Sequence, residues 1–136
     1  MYQHILIPTD GSELAHRGVA HGLLLAKAVG AKVTALTVES YNRDDVSELH
    51  VKEAEEHAAS ILDRVGDEAK VAGVSCQTMH VVQLDPYWAI MTVAKEKGCD
   101  LIVMASHGRS GIAAAILGSV TAKVLTHTDI PVLVCH

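Results

Sequence analysis

Residues 101–121 read LIVMASHGRSGIAAAILGSVT, and this stretch decides the fold. An apolar run, Leu101 to Ala105, enters a small polar turn, Ser106-His107-Gly108-Arg109-Ser110-Gly111. After nine residues beyond Gly108 the chain reaches Gly118-Ser119 and opens a helix. An uninterrupted apolar strand that leads through turns into a helix is the repeating unit of a buried parallel sheet. Two glycine-containing turns flank this strand end, and each can present backbone N–H groups to an anion, here expected to be a phosphate. Glycine permits close approach of a ligand to the backbone. Ser119 adds a hydroxyl at the start of a helix whose first amides lack intrahelical partners. An ordinary tight connection between strand and helix is the competing reading.

On either side of this block the chain alternates strand and helix. Residues 2–8 form a strand that stops at Pro8, followed by the turn Thr9-Asp10-Gly11-Ser12. Ser12 is placed to cap a helix that runs to about Val29 and ends at Gly30. Its inward stripe is Ala15, Gly18, Val19, Gly22, Leu23 and Ala26, spaced at three and four. Two glycines in that stripe cost helix propensity, which predicts a helix lying close to the sheet. Residues 32–39 form strand two, and a polar connection, 40–46, leads to the longest helix. That helix starts at Ser47 and runs to about Ala72, with Val51, Ala54, Ala58, Ile61, Leu62, Val65 and Ala69 on one side. Gly73 ends it, and Val74 to Val82 is strand three. Asp85-Pro86 supplies a cap and a first-turn proline for a helix reaching Gly98. Asp100 to Ala105 is strand four, a helix spans Ser119 to about Thr128, and Pro131 to Cys135 is strand five. The expected fold class is α/β, a doubly wound, open, five-stranded parallel sheet with helices on both faces.

Composition supports one domain over residues 1–136, since splitting the chain would leave neither half a sufficient core. Hydrophobic residues make up 49% and aromatics only 3%, so the core is aliphatic and rich in alanine. No run approaches the roughly 18 apolar residues of a membrane span, and the first residues enter a strand without a signal-peptide pattern, so the cytoplasm is the expected location. The net charge is −5, but residues 44–68 hold nine acidic and two basic side chains. Such a face repels nucleic acid, and no basic stripe offsets it. Cys76, Cys99 and Cys135 lie in or beside apolar runs and read as buried thiols. The nine histidines are scattered, with no HxxxH or HExxH pair, so no metal site is expected.

An open α/β sheet binds ligands beyond the carboxyl ends of its strands, where the strand order reverses. If strands one and four are neighbours, Pro8-Thr9-Asp10, the turn after Ala105 and the Gly118-Ser119 helix start converge on one crevice. Asp10 is then expected near a sugar or base, or sharing a divalent cation with phosphates, rather than facing bare phosphates. Closing an Asx-turn before Ser12 is its structural alternative. No GxGxxG follows strand one, and neither GxxxxGK[ST] nor GxSxG occurs, which excludes dehydrogenase, P-loop and nucleophile-elbow readings.

The opening ILIPTDGSE, the block ASHGRSGIAAAILGSVT and the closing IPVLVCH resemble the diagnostic stretches of the universal stress protein family, and the resemblance covers essentially the whole chain. Nucleotide-binding members of that family carry a glycine, two residues, a second glycine, nine residues, then a glycine followed by serine or threonine. Here Gly108, the interval 109–117 and Gly118-Ser119 match, whereas Ala105 stands at the first glycine. Its methyl would either crowd a phosphate or only lean against it. The resemblance implies a Rossmann-like sheet ordered 3-2-1-4-5, a homodimer, and ATP or another adenine nucleotide as ligand, with Mg or Mn held mainly by the phosphates. Pro131–Cys135, apolar on both faces and an edge in that order, is the expected seam of the dimer. It implies adenosine near Pro8, Thr9, Asp10 and Val38, and phosphates over Gly108, Arg109, Gly118, Ser119, Val120 and Thr121. Met104, Ala105 and His107 complete the expected site. Because no paired carboxylates lie near the glycines, no catalytic residue is assigned. The function expected is an ATP-binding sensor or adaptor in stress tolerance. A weak Mg-dependent ATPase and a nucleotide-free dimeric interaction protein are its rivals.

Overall fold

The computed structural model describes residues 1–108 and 117–136. In chain order the elements are β1 (His4–Pro8), α1 (Glu13–Val29), β2 (Lys32–Glu39), a 3-10 turn (Arg43–Asp45) and α2 (Glu48–Ala72). There follow β3 (Cys76–Val82), α3 (Pro86–Glu96), β4 (Leu101–Ala105), α4 (Ser119–His127) and β5 (Val132–Cys135). The strands form one parallel sheet, as the alternating pattern predicts, in the order β3-β2-β1-β4-β5 that the resemblance implies.

Several ends differ from the sequence expectation, each for a local reason. β1 begins at His4 rather than residue 2, because the N–H groups of Gln3 and His4 donate to the Asp100 carboxylate instead of to a ladder. β3 begins at Cys76 rather than Val74, whose N–H turns back to the Ala69 carbonyl and closes the end of α2. Pro131 has no N–H to give and only accepts from Ile102, so β5 starts at Val132. Ser12 and Ser47 cap α1 and α2 through hydrogen bonds from the N–H groups of Ala15 and His50. Gly30 and Gly73 end the same helices with φ of 72° and 73°, in the left-handed region that favours glycine. Asp85 occupies the capping position of α3 but makes no capping hydrogen bond, a correction to the expected role.

Strand alternation sends Ile5, Ile7, Val33, Ala35, Leu101 and Val103 toward α1 and α2, and Leu6, Leu36, Ile102 and Met104 toward α3 and α4. All six residues of the α1 stripe are buried. The two glycines in it do place the helix against the sheet: a Cβ on Gly18 would lie 3.1 Å from the Ala105 amide nitrogen, and one on Gly22 2.9 Å from Ile7 Cγ1. On α2 only Ala58, Leu62, Val65 and Ala69 are buried, while Val51, Ala54 and Ile61 are half-buried. Cys99 and Cys135 are buried, but Cys76, on an outer strand, is only half-buried. Burial pushes all three thiols up, Cys99 to about 11 with help from the Asp100 charge, which keeps them protonated and unreactive.

The middle of the sheet opens at its carboxyl end. β1 pairs with β4 only through Ile5–Leu101 and Leu6–Ile102. Pro8 cannot donate, and the next residue, Thr9, donates to Leu36 of β2. On the other side Ser106 donates to Cys135 of β5. Each strand end follows its outer neighbour, and a gap is left between them.

At the opposite end His4 is buried. The Lys97 carbonyl can only accept, so His4 Nδ1 carries the proton and donates over 3.0 Å, while Nε2 accepts from Thr34 Oγ1 at 2.7 Å. Burial, and then the nearby Lys32 charge, lower the His4 pKa from 6.5. The unfolded chain therefore binds the proton more readily, and stability is lost as pH falls below about 6.5 toward the depressed folded value. Urea midpoints at neutral and mildly acidic pH are expected to fall more in the unmodified protein than in a His4→Gln variant. Equal slopes would remove His4 from the account.

Candidate functional site

The gap between β1 and β4 is the floor of a cavity of about 510 Å3, within the range of small-ligand sites. Three parts of the chain meet there: the β1 end with Pro8, Thr9 and Asp10, the β4 end from Met104 to Gly108, and the start of α4 from Gly118 to Thr121. Leu36, Val38, Met104 and Ile90 provide an apolar wall. Among the described lining residues the charged groups are the Asp10 and Glu39 carboxylates, with no lysine or arginine.

α4 begins at Ser119, as expected. Gly118 occupies the capping position, and among the described residues no side chain caps the helix. Gly118 donates to the Ser106 carbonyl at 2.6 Å, and Ala122 is the first residue to bond back to Gly118. The amides of Ser119, Val120 and Thr121 therefore precede the first intrahelical bond, at the positive end of the helix dipole. Gly118 is needed for closeness rather than for its torsions: with φ −69° its backbone suits any residue, but a Cβ would lie 3.2 Å from Ser106 O and 3.3 Å from His107 Cα. Gly108 is equally confined, since a Cβ there would press on the Asp10 carboxylate.

Every expected site residue among those described lines this one cavity: Pro8, Thr9, Asp10, Val38, Met104, Ala105, His107, Gly108, Gly118, Ser119, Val120 and Thr121. Arg109 lies outside the described residues. Thr121 is 3% exposed and its hydroxyl donates to the Ala105 carbonyl at 2.9 Å, so that side chain ties α4 to β4. Asp10 does accept from the Ser12 N–H at 3.0 Å, forming the Asx-turn while still lining the cavity. Leu101 and Val103 face α1, and alternation along β4 turns the Ala105 methyl to the same side, with Gly18 of α1 beside its amide, while the residue still borders the cavity. His107 Nδ1 lies 3.1 Å from Ser106 Oγ, and its Nε2 is buried and has no hydrogen-bond partner among the described residues. Glu39 and Ser40 were missed by the sequence reading, although they follow the carboxyl end of strand two and the rule that selected Asp10 applies to them equally. Ile90 carried no local signal, being one apolar residue among several on a helix.

The universal stress protein family model matches residues 1–136. The chain belongs to the universal stress protein family. The universal stress protein MJ0531 of Methanocaldococcus jannaschii is 32% identical over 144 residues, covering 98% of this chain and 82% of that protein. Among solved structures, MJ0577 superposes with a TM-score of 0.81 at 30% identity, over 99% of this chain and 96% of that one. A universal stress protein crystallised in complex with cAMP gives 0.80 at 31% identity, over 99% and 97% of the two chains. Among the described residues no group of three or more His, Cys, Asp or Glu side chains is placed to hold a metal ion, and no helix is long and apolar enough to cross a membrane.

Proposed function

We propose that this chain is a cytoplasmic stress-response protein that binds ATP in the crevice between β1 and β4 and acts as a sensor or adaptor. The observation that carries this reading is the convergence, in one cavity, of an apolar wall, a carboxylate and the start of a helix whose first amides precede its first intrahelical bond. These parts fit the three parts of a nucleotide. Leu36, Val38 and Ile90 offer a surface for the base, Asp10 an acceptor for sugar hydroxyls, and the amides of Ser119, Val120 and Thr121 donors for phosphate oxygens. His107 Nε2, a buried polar atom without a partner among the described residues, adds one more group that a ligand would satisfy. The likeness to a relative solved with cAMP, another adenine nucleotide, supports the same reading. With Asp10 and Glu39 as the charged groups of the described lining, Mg or Mn would be held mainly by the phosphates, and Arg109, the residue after Gly108 in the sequence, would add its charge.

Calorimetric titration with MgATP tests the reading directly. Saturable heat is expected, and no heat together with no displacement of a fluorescent ATP analogue at about millimolar nucleotide would overturn it. Because the Ala105 methyl faces α1, an Ala105→Gly variant is expected to bind MgATP as tightly as the unmodified chain, while losing about 0.5–1 kcal/mol of stability. Tighter binding in that variant would mean that the methyl crowds the phosphates.

The assembly proposed is a homodimer through Pro131–Cys135. β5 is an edge strand without a charge, and Leu133 is 43% exposed, whereas soluble proteins protect such edges. A second copy across a two-fold axis would cover it. Leu133→Lys is expected to shift the light-scattering mass from dimer to monomer, and a monomeric unmodified protein would refute the assembly.

A further inference from the structure

The sheet has a second open edge, far from β5. β3 pairs with β2 on one side only. Val33 donates to Ser75 and Gln83 donates to Glu39, so the odd-numbered residues of this segment hold β2. In a parallel ladder the alternate residues face away, which leaves the N–H and C=O groups of Cys76, Thr78 and His80 directed outward. Among the described residues nothing else bonds to them. The strand, CQTMHVV, contains no lysine, arginine, carboxylate or proline, the usual means by which an edge resists pairing.

This edge is flanked by negative charge. A groove of about 470 Å3 runs between it and α2, lined by Asp63, Asp67 and Lys70 on the helix and by Cys76 and Thr78 on the strand. Among the described residues neither aspartate is in an ion pair. Glu56 precedes Asp63 by two helical turns on the same stripe. The spacing also matches that of an extended chain: four helical residues, from Asp63 to Asp67, advance about 6 Å, and two residues of a strand advance about 6.7 Å. Successive same-side residues of a strand laid along β3 would thus meet successive aspartates.

We propose that the β3 edge and the acidic flank of α2 form a docking groove for an extended, lysine- or arginine-containing segment of another protein, added to the sheet as an outer strand. Main-chain hydrogen bonds to Cys76, Thr78 and His80 supply attachment, and alternate basic side chains on Asp63 and Asp67 supply selectivity. Charge argues against a second copy in this place. Residues 44–68 carry nine acidic and two basic side chains, and a two-fold pairing of β3 edges would bring two such segments together.

The test uses the full chain and a fluorescein-labelled, end-blocked peptide of alternating valine and lysine, about eight residues long to match a strand. Anisotropy is expected to show saturable binding, absent for the valine–glutamate counterpart. Asp63→Lys with Asp67→Lys should weaken binding by at least about tenfold, the loss expected when two attractive charges are reversed. Thr78→Pro, which removes one outward N–H and leaves the odd-numbered ladder residues unchanged, should weaken it similarly. Independently of either variant, amide exchange at Cys76, Thr78 and His80 should slow when peptide is added. Undiminished binding by the charge-reversed protein, or unchanged exchange at those three amides, overturns the proposal. Protection of the same amides that grows with protein concentration alone would assign the edge to a second copy and also overturn it.

Discussion

A Gly118→Val protein is expected to give no measurable heat with MgATP while keeping the far-ultraviolet circular dichroism of the unmodified chain. The new side chain brings no backbone strain, because φ −69° and ψ 161° suit valine. Its cost is spatial. Already at Cβ it would meet the Ser106 carbonyl and His107 Cα, and it would break the approach that lets the Gly118 N–H reach Ser106 over 2.6 Å. The turn must then move away from the start of α4, and the amides of Ser119, Val120 and Thr121 lose their common aim. The core is untouched by that movement, since Thr121 holds α4 to β4 one turn further on. Gly118→Ala should show an intermediate loss and guards against a folding defect in the valine protein. Arg109→Ala, by comparison, should weaken binding by only about 1–2 kcal/mol, the scale of one charge-assisted contact. Unchanged affinity in Gly118→Val would place the nucleotide elsewhere.

Gly22→Val is expected to be the most destabilising single change in α1, at about 3 kcal/mol, the upper part of the range for overpacked cores. A Cβ at this position would already lie 2.9 Å from Ile7 Cγ1 and 3.6 Å from Val103 Cβ, and both residues are 0% exposed. Neither can swing into solvent. Valine improves on the helix propensity of glycine by only about 0.4 kcal/mol, so the clash decides the sign. A drop of roughly 10 °C in the thermal midpoint is the expected reading. A drop below about 2 °C would mean that α1 can lift from the sheet at little cost.

The strands and the inward stripe of α1 were legible in the sequence because each follows from a period: uninterrupted apolar runs for buried strands, and threes and fours for a helix. The order of the strands came from the family resemblance and not from any period. Even the close packing of α1 could be read, since glycine weakens a helix and suits an inward stripe only where the two backbones must come near each other. The ends were less legible. Tyr2 and Val74 look like strand residues, but the Asp100 carboxylate and the Ala69 carbonyl compete for the local N–H groups, and such partners lie far away in sequence or belong to the preceding helix. Val51 and Ala54 fit the helical stripe of α2 without being fully buried, because periodicity says which way a residue points and not whether the sheet extends beneath it. In the site, the carboxyl-end rule found the β1 and β4 residues. Glu39 ends the neighbouring strand and Ser40 follows it, and the rule was not carried to that strand end. The start of α4 at Ser119 was legible, whereas the crowding of Gly118 comes from Ser106 and His107, which the sequence does not place beside it.

The narrow junction between β1 and β4 also bears on how the chain assembles. β2, β1 and β3 with α1 and α2 come from the first 82 residues, and β1 is paired with β2 along five positions. Within the sheet the second half joins this block through two register pairs and the Asp100 contacts, and beside the sheet through the packing of α1 on β4. Contacts between β1 and β4 span nearly 100 residues of chain, so they carry the larger closure entropy and should form late. A ligand seated across that junction recognises only the joined halves. At a concentration of about 100 times its dissociation constant it would favour them by about 2.7 kcal/mol. A molecule filling the crevice would then also be a clasp on the fold, and its scarcity would be felt as a loosening of the C-terminal half.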